Sequence, residues 1–157
     1  MKGITINTDA SYDPQYNLGS YAFWIVCDGQ RIIKAGILKK VSDSNDAEIQ
    51  AIANALVTVF KSDFKGITGV YVNTKAFAYV NGAMAARPLI GPAKVCYDTL
   101  QLIKQKYRIR RNKFYEIRQV NAHTGHQDLR STRQYVNDYC DRTARQVLRD
   151  AIKTLGK

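Results

Sequence analysis

Apolar and polar residues alternate through Ile4-Thr5-Ile6-Asn7-Thr8-Asp9-Ala10-Ser11, the two-residue period of a half-buried strand, with a carboxylate where the apolar run gives out. Ser20 to Cys27 (SYAFWIVC) is apolar and aromatic enough for a buried strand. Asp28-Gly29 is a hairpin turn, and Gln30 to Leu38 reads as a third strand, so the pattern predicts an antiparallel meander. After a polar loop, Ser44 and Asn45 offer an N-cap, Glu48 falls in the first turn, and Ile49, Ile52, Ala53, Leu56, Val57 and Phe60 keep helical spacing. Ile67 to Asn73 suits a central parallel strand, which makes strand, helix, strand a right-handed crossover. Thr74 to Val80 reads as one or two helical turns ending before Gly82. Ala93 to Tyr107 reads as a second long helix, Phe114 to Val120 as a fifth strand and Asn121 to Ser131 as a loop. A last helix falls within Thr132 to Leu155, with Val136, Cys140, Ala144, Val147, Leu148 and Ala151 on one side and Arg142, Arg145, Arg149 and Lys153 on the other.

These elements describe an α/β domain, and 157 residues are enough for one domain, 1–157, with a core that needs no disulfide or metal. Cys27, Cys96 and Cys140 are odd in number, far apart and in no metal-ligand spacing, as expected of reduced thiols. The chain enters a strand within a few residues and has no bilayer-length apolar run, so the expectation is a soluble, cytoplasmic monomer with no membrane partner. Charge changes the picture more. Lys and Arg number 24 against 13 Asp and Glu, a formal net charge of +11, which makes a polyanion, nucleic acid first, the expected partner.

The candidate chemistry is dispersed along the chain. Asp9 lies late in the first strand, Glu48 in the first turn of the first helix, Lys75 just past the fourth strand and Asp141 inside the last helix. A strand carboxylate is unfavourable unless something uses it. Separated acids at strand ends and helix starts can converge on a divalent cation, and Mg²⁺ suits one or two carboxylates completed by water and phosphate oxygens. Each acid also has an ordinary explanation. Asp9 could end its strand and open a turn through Ser11, Asp13 and Pro14, Glu48 could complement the helix dipole, and Asp141 could be one acid of an exposed face.

The order of the pieces carries more information than any one of them. Thr8-Asp9-Ala10-Ser11, the Asn45 to Glu48 helix start, Val72-Asn73-Thr74-Lys75, His123-Thr124-Gly125-His126 and Asn137-Asp138-Tyr139-Cys140-Asp141-Arg142-Thr143-Ala144-Arg145 together resemble type 1 ribonuclease H over almost the whole chain. The resemblance implies a ribonuclease H-like α/β fold, with a five-stranded mixed sheet flanked by helices. It also implies hydrolysis of the RNA strand of RNA–DNA hybrids by a two-metal mechanism, with Mg²⁺ or Mn²⁺ as cofactor. Asp9, Glu48 and Asp141 carry over as metal ligands, and His123 as the loop histidine that assists proton movement and product release. Ser11, Ser44 and Asn45 carry over as substrate contacts, the last two at the minor groove where 2′-hydroxyls are displayed.

The departures from that pattern matter as much. Lys75 stands where the family has a fourth metal-binding Asp, and a protonated Lys cannot ligate Mg²⁺. Asn73 and Thr74 are weak substitutes. Asp138, one helical turn before Asp141, competes with it as a ligand. The segment between Gly82 and Phe114 lacks a tryptophan-bearing basic protrusion, a role that Arg108, Arg110, Arg111 and Lys113 could fill, or else they form a solvated loop. Retention of Asp9, Glu48, His123 and Asp141 favours an endonuclease with Lys75 as an altered catalytic position. Lys75 itself favours the alternative, a fold that lost the reaction and acts as a nucleic-acid-binding or scaffolding module. An integrase or resolvase relative on the same fold fits the helix-start and histidine-loop motifs less well.

Overall fold

The computed structural model describes residues 2–120 and 132–156. Three strands, β1 (Lys2–Asp13), β2 (Leu18–Cys27) and β3 (Gln30–Leu38), form the antiparallel meander, and Asp28 and Gly29 close its second hairpin with φ of 53° and 81°. That pair of positive values is the backbone of a type I′ turn, which Gly accepts without a Cβ penalty. The chain continues through α1 (Ser44–Lys61), β4 (Ile67–Thr74), α2 (Phe77–Ala85), α3 (Gly91–Lys106), β5 (Tyr115–Gln119) and α4 (Thr132–Leu155). The sheet order is β3-β2-β1-β4-β5, with β4 parallel to both β1 and β5. This is the five-stranded mixed sheet expected of a ribonuclease H-like α/β fold.

Alternation along the strands divides the core. Ile4, Ile6, Phe23, Ile25, Val70 and Val72 join Ile49, Ile52 and Leu56 of α1 and Leu100 and Ile103 of α3 on one face. On the other, Ala22 and Trp24 meet Val136, Cys140 and Ala144 of α4, with the Tyr139 ring edge-on to Trp24 at 5.2 Å. Two points seal α4 to the sheet: Ser20 Oγ donates to Ala144 O, and Cys140 Sγ sits 3.7 Å from Asn7 O. The Arg142, Arg145 and Arg149 side of α4 is exposed, as its spacing predicts.

Several boundaries differ from the sequence reading. β1 runs on to Asp13, so Asp9 lies inside a strand paired with Ala22 and does not end it. The N-cap of α1 is Asp43, whose carboxylate accepts from Asp46 N at 2.8 Å while Asp46 accepts from Ser42 N at 2.9 Å. This reciprocal cap displaces Ser44 and Asn45 into the first turn, where both are exposed. α2 passes through Gly82, because burial of Val80 and Met84 outweighs the local cost of Gly in a helix. No described helix is long and apolar enough to cross a membrane.

Candidate active site

Register brings the first two groups together. Asn7 on β1 is opposite Asn73 on the parallel β4, so two residues further on Asp9 faces Lys75 at the strand end. Asn73 Nδ2 donates to Asn7 Oδ1 at 3.1 Å, fixing the two strands just below that point. Asp9 is fully buried, and Lys75 Nζ lies 3.0 Å from its Oδ1. From the face of the sheet that also carries Asp9, α4 delivers Asp141, whose Oδ1 is 3.5 Å from the same ammonium and whose Oδ2 is 3.2 Å from Arg145 Nη2. Asp138, the competing candidate one turn earlier, is also buried, and Asp141 is the one whose carboxylate lies beside Lys75. Thr74 Oγ1 accepts from Ala76 N and Asn73 Nδ2 donates to Asn7, while Asn73 Oδ1 is buried without a hydrogen-bond partner.

Glu48 completes the cluster from the first turns of α1. Burial, followed by repulsion from Asp9, pushes its carboxyl up to about 8. Burial also raises Asp9 to about 6, although the Lys75 charge pulls the other way and Asp141 adds to the rise. Burial opposes the charge on Lys75, yet Asp9, Glu48 and Asp141 together hold its pKa above the usual lysine value. Two carboxylate oxygens, Asp9 Oδ2 and Glu48 Oε1, are buried and have no hydrogen-bond partner, and the same is true of Thr8 Oγ1 and Asn137 Oδ1. Buried acceptors of this kind are costly unless something is bound to them.

Those oxygens decide what the residues can hold. Asp9 Oδ2 and Glu48 Oε1 offer two carboxylate donors, a set that suits one Mg²⁺ completed by water and phosphate oxygens. Among the described residues no three His, Cys, Asp or Glu side chains form a group that could hold a metal. Within the expected ligand trio of Asp9, Glu48 and Asp141, the Lys75 ammonium lies between Asp9 and Asp141.

The remaining expected site residues are distributed unevenly. Ser11 is half-buried two residues beyond Asp9, opposite Ser20, and Ser44 and Asn45 are exposed one turn before Glu48. Arg110 and Arg111 are not brought to the cluster. They precede β5, which is parallel to β4, so they sit at the end of the sheet away from Lys75. Arg111 Nη2 donates to Thr68 O at 3.1 Å, seven residues before Lys75 and on the order of 20 Å along the strand. His123 lies outside the described residues. Two contributors carried no assigned role in the sequence reading. Arg145 is visible as the residue one helical turn after Asp141, but the Asn7–Asn73 clasp depends on strand register, which no local pattern reveals.

With this geometry in place, comparisons with known proteins give one answer. No curated protein sequence matches the chain. Among solved structures, the fold is similar to LC11-RNase H1 in complex with an RNA/DNA hybrid, at 14% identity and a TM-score of 0.62, covering 95% of this chain and 99% of that one. The N-terminal RNase H domain of a Mycobacterium tuberculosis protein is similar at 15% identity and a TM-score of 0.63, covering 98% of each chain. RNase H1 from the archaeon Halobacterium salinarum is similar at 14% identity and a TM-score of 0.56, covering 94% of this chain and 98% of that one. The family model described as RNase H matches residues 1–149, and the chain belongs to the RNase H family.

Proposed function

We propose that this chain binds RNA–DNA hybrids and hydrolyses their RNA strand, with Asp9, Glu48 and Asp141 as the reaction centre and a divalent cation, Mg²⁺ or Mn²⁺, as cofactor. The observation that carries the reading is convergence: β1, α1, β4 and α4, far apart in sequence, deliver three acids and one lysine to one strand end. Two of the buried carboxylate oxygens there have no partner. A fold gains no stability from such a cluster, since buried carboxylates that repel each other oppose folding. Membership of the RNase H family and the hybrid held by LC11-RNase H1 support the substrate class.

Asp9 and Glu48 would hold the cation, which when bound supplies Lewis acidity and lowers the pKa of water. The protein's own groups do the rest. Buried on the sheet, Asp9 keeps its carboxylate in a fixed direction through the hydrogen bond from Ala10 N at 2.9 Å. Asp141, oriented by Arg145, shares Lys75 with it. Ser44 and Asn45, exposed one turn before Glu48, would meet the minor groove and its 2′-hydroxyls. The net charge of +11 favours approach of a polyanion, although the sheet end bearing Arg110 and Arg111 contributes through long-range field and not by contact with the reacting phosphate.

One observation favours a second reading. The ammonium of Lys75 already neutralises Asp9 and Asp141, as it would in a domain that binds hybrid without cutting it. A labelled hybrid incubated with the protein in Mg²⁺ or Mn²⁺ separates the two. Metal-dependent RNA fragments that disappear in Asp9→Asn support the nuclease. Retarded but intact hybrid under both metals supports the binding domain.

A further inference from the structure

We infer that Lys75 is a built-in cation, standing in for one metal ion, so that the acidic site takes a single divalent cation between Asp9 Oδ2 and Glu48 Oε1. The inference rests on the reading of this cluster as the reaction centre. Its first support is the division of labour among carboxylate oxygens. Asp9 Oδ1 and Asp141 Oδ1 are bridged by one ammonium at 3.0 and 3.5 Å, Asp141 Oδ2 is taken by Arg145, and Asp9 Oδ2 and Glu48 Oε1, on two carboxyl groups that repel each other, have no hydrogen-bond partner. The carboxylates are thus split into a satisfied pair and an unsatisfied pair, with Asp9 belonging to both.

Charge balance gives the second support. Asp9 and Asp141 carry two negative charges, and Lys75 with Arg145 returns two positive ones at contact distance. A divalent ion bound to Asp9 Oδ1 at about 2.1 Å would sit no more than about 5 Å from the ammonium 3.0 Å from that oxygen, with no net negative charge left on Asp9 and Asp141 to offset the repulsion. An ion on the far oxygen of Asp9 meets Glu48 instead, which has no ion pair among the described residues, and it relieves two buried acceptors.

The third support is the local build. Lys75 follows directly on β4, where the Asn7–Asn73 bond and the bond from Val120 N to Thr74 O fix the backbone. Its side chain is only 32% exposed, so the ammonium is a placed group and not a surface charge passing by. An ammonium supplies one fixed charge and three donors, enough to orient Asp9, Asp141 and an arriving phosphate oxygen. It cannot take water into a coordination shell as a metal does.

Counting Mn²⁺ by the loss of its free paramagnetic signal, on the intact chain in MnCl₂ at pH 8, tests this without reference to cleavage. The starting protein should bind one ion, lost in Glu48→Gln. Lys75→Asp should bind two. Lys75→Gln, which keeps a similar stem and removes the charge, should also gain a second ion and guards against misfolding of the first variant. Two ions in the starting protein, none at all, or one ion in folded Lys75→Gln and Lys75→Asp alike would each overturn the inference. One ion in the starting protein with no cleavage of hybrid would leave the inference standing and sink the nuclease reading.

Discussion

Asn73 and Asn7 join side chain to side chain at 3.1 Å across two parallel strands, two residues before Lys75 and Asp9. Both are buried, so the bond sets the spacing of the strand ends that carry the reactive groups. Asn73→Ala leaves Asn7 Oδ1 buried without a donor and should cost about 1–3 kcal/mol of stability, read from the denaturant midpoint. Hybrid cleavage should fall further than the folded fraction does. An equal fall would mean that the clasp serves stability alone.

Lys75→Asp should raise Mg²⁺-dependent cleavage by on the order of tenfold, about 1.4 kcal/mol of transition-state stabilisation, because it removes a positive charge and adds a carboxylate facing Asp9. Without metal the same change should destabilise the fold, since Asp9 and Asp141 lose the cation that pairs them. Steady-state rates and thermal melts with and without MgCl₂ read both effects. Unchanged activity together with unchanged metal-free stability would show that Lys75 is not engaged with the two acids in solution.

Acidity gives a third expectation. Asp9 rises from an ordinary 3.8 to about 6 and Glu48 from 4.5 to about 8, so between about pH 4 and pH 8 the folded chain binds protons more tightly than the unfolded one. Their contribution to stability is complete below the unfolded values and is lost as pH rises through the folded ones. Metal-free melting temperature should therefore decline from pH 5 to pH 8 by a few degrees more in the starting protein than in Glu48→Gln, and added Mg²⁺ should remove most of that extra decline. A Glu48→Gln variant with the same pH slope would contradict the placement of Glu48 against Asp9.

The basic run before β5 gives a fourth. Charge reversal at Arg110 and Arg111, remote from Lys75, should leave the cleavage pattern on a short hybrid unchanged and weaken affinity only through the overall field, an effect that vanishes as salt screens it. Ser44→Ala with Asn45→Ala should lower the preference for hybrid over duplex DNA, at every salt concentration. Competition binding at two ionic strengths compares them.

What the sequence made legible follows from local periodicity. The meander, α1 and the central strand carry strong two- or 3.6-residue patterns and stand where those patterns place them. Boundaries slipped where a tertiary or capping contact overrode propensity: Asp43 takes the cap from Ser44 and Asn45, and Gly82 stays helical because Val80 and Met84 are buried. Asp9, Glu48, Lys75 and Asp141 were legible as a set only through motif order. Their contacts were not, because they depend on how far β1 and β4 are offset and on which side of the sheet α4 docks. Arg110 and Arg111 show the limit most clearly. A basic run is easy to see, but which end of a parallel strand it precedes decides whether it can touch the site.

The most direct measurement is cleavage of an end-labelled RNA–DNA hybrid by the starting protein and by Asp9→Asn, in Mg²⁺ and in Mn²⁺, with hybrid binding recorded alongside. The account predicts RNA-strand cuts that require metal and vanish in Asp9→Asn while binding persists. Cleavage that survives Asp9→Asn, or intact hybrid under both metals despite binding, would contradict it.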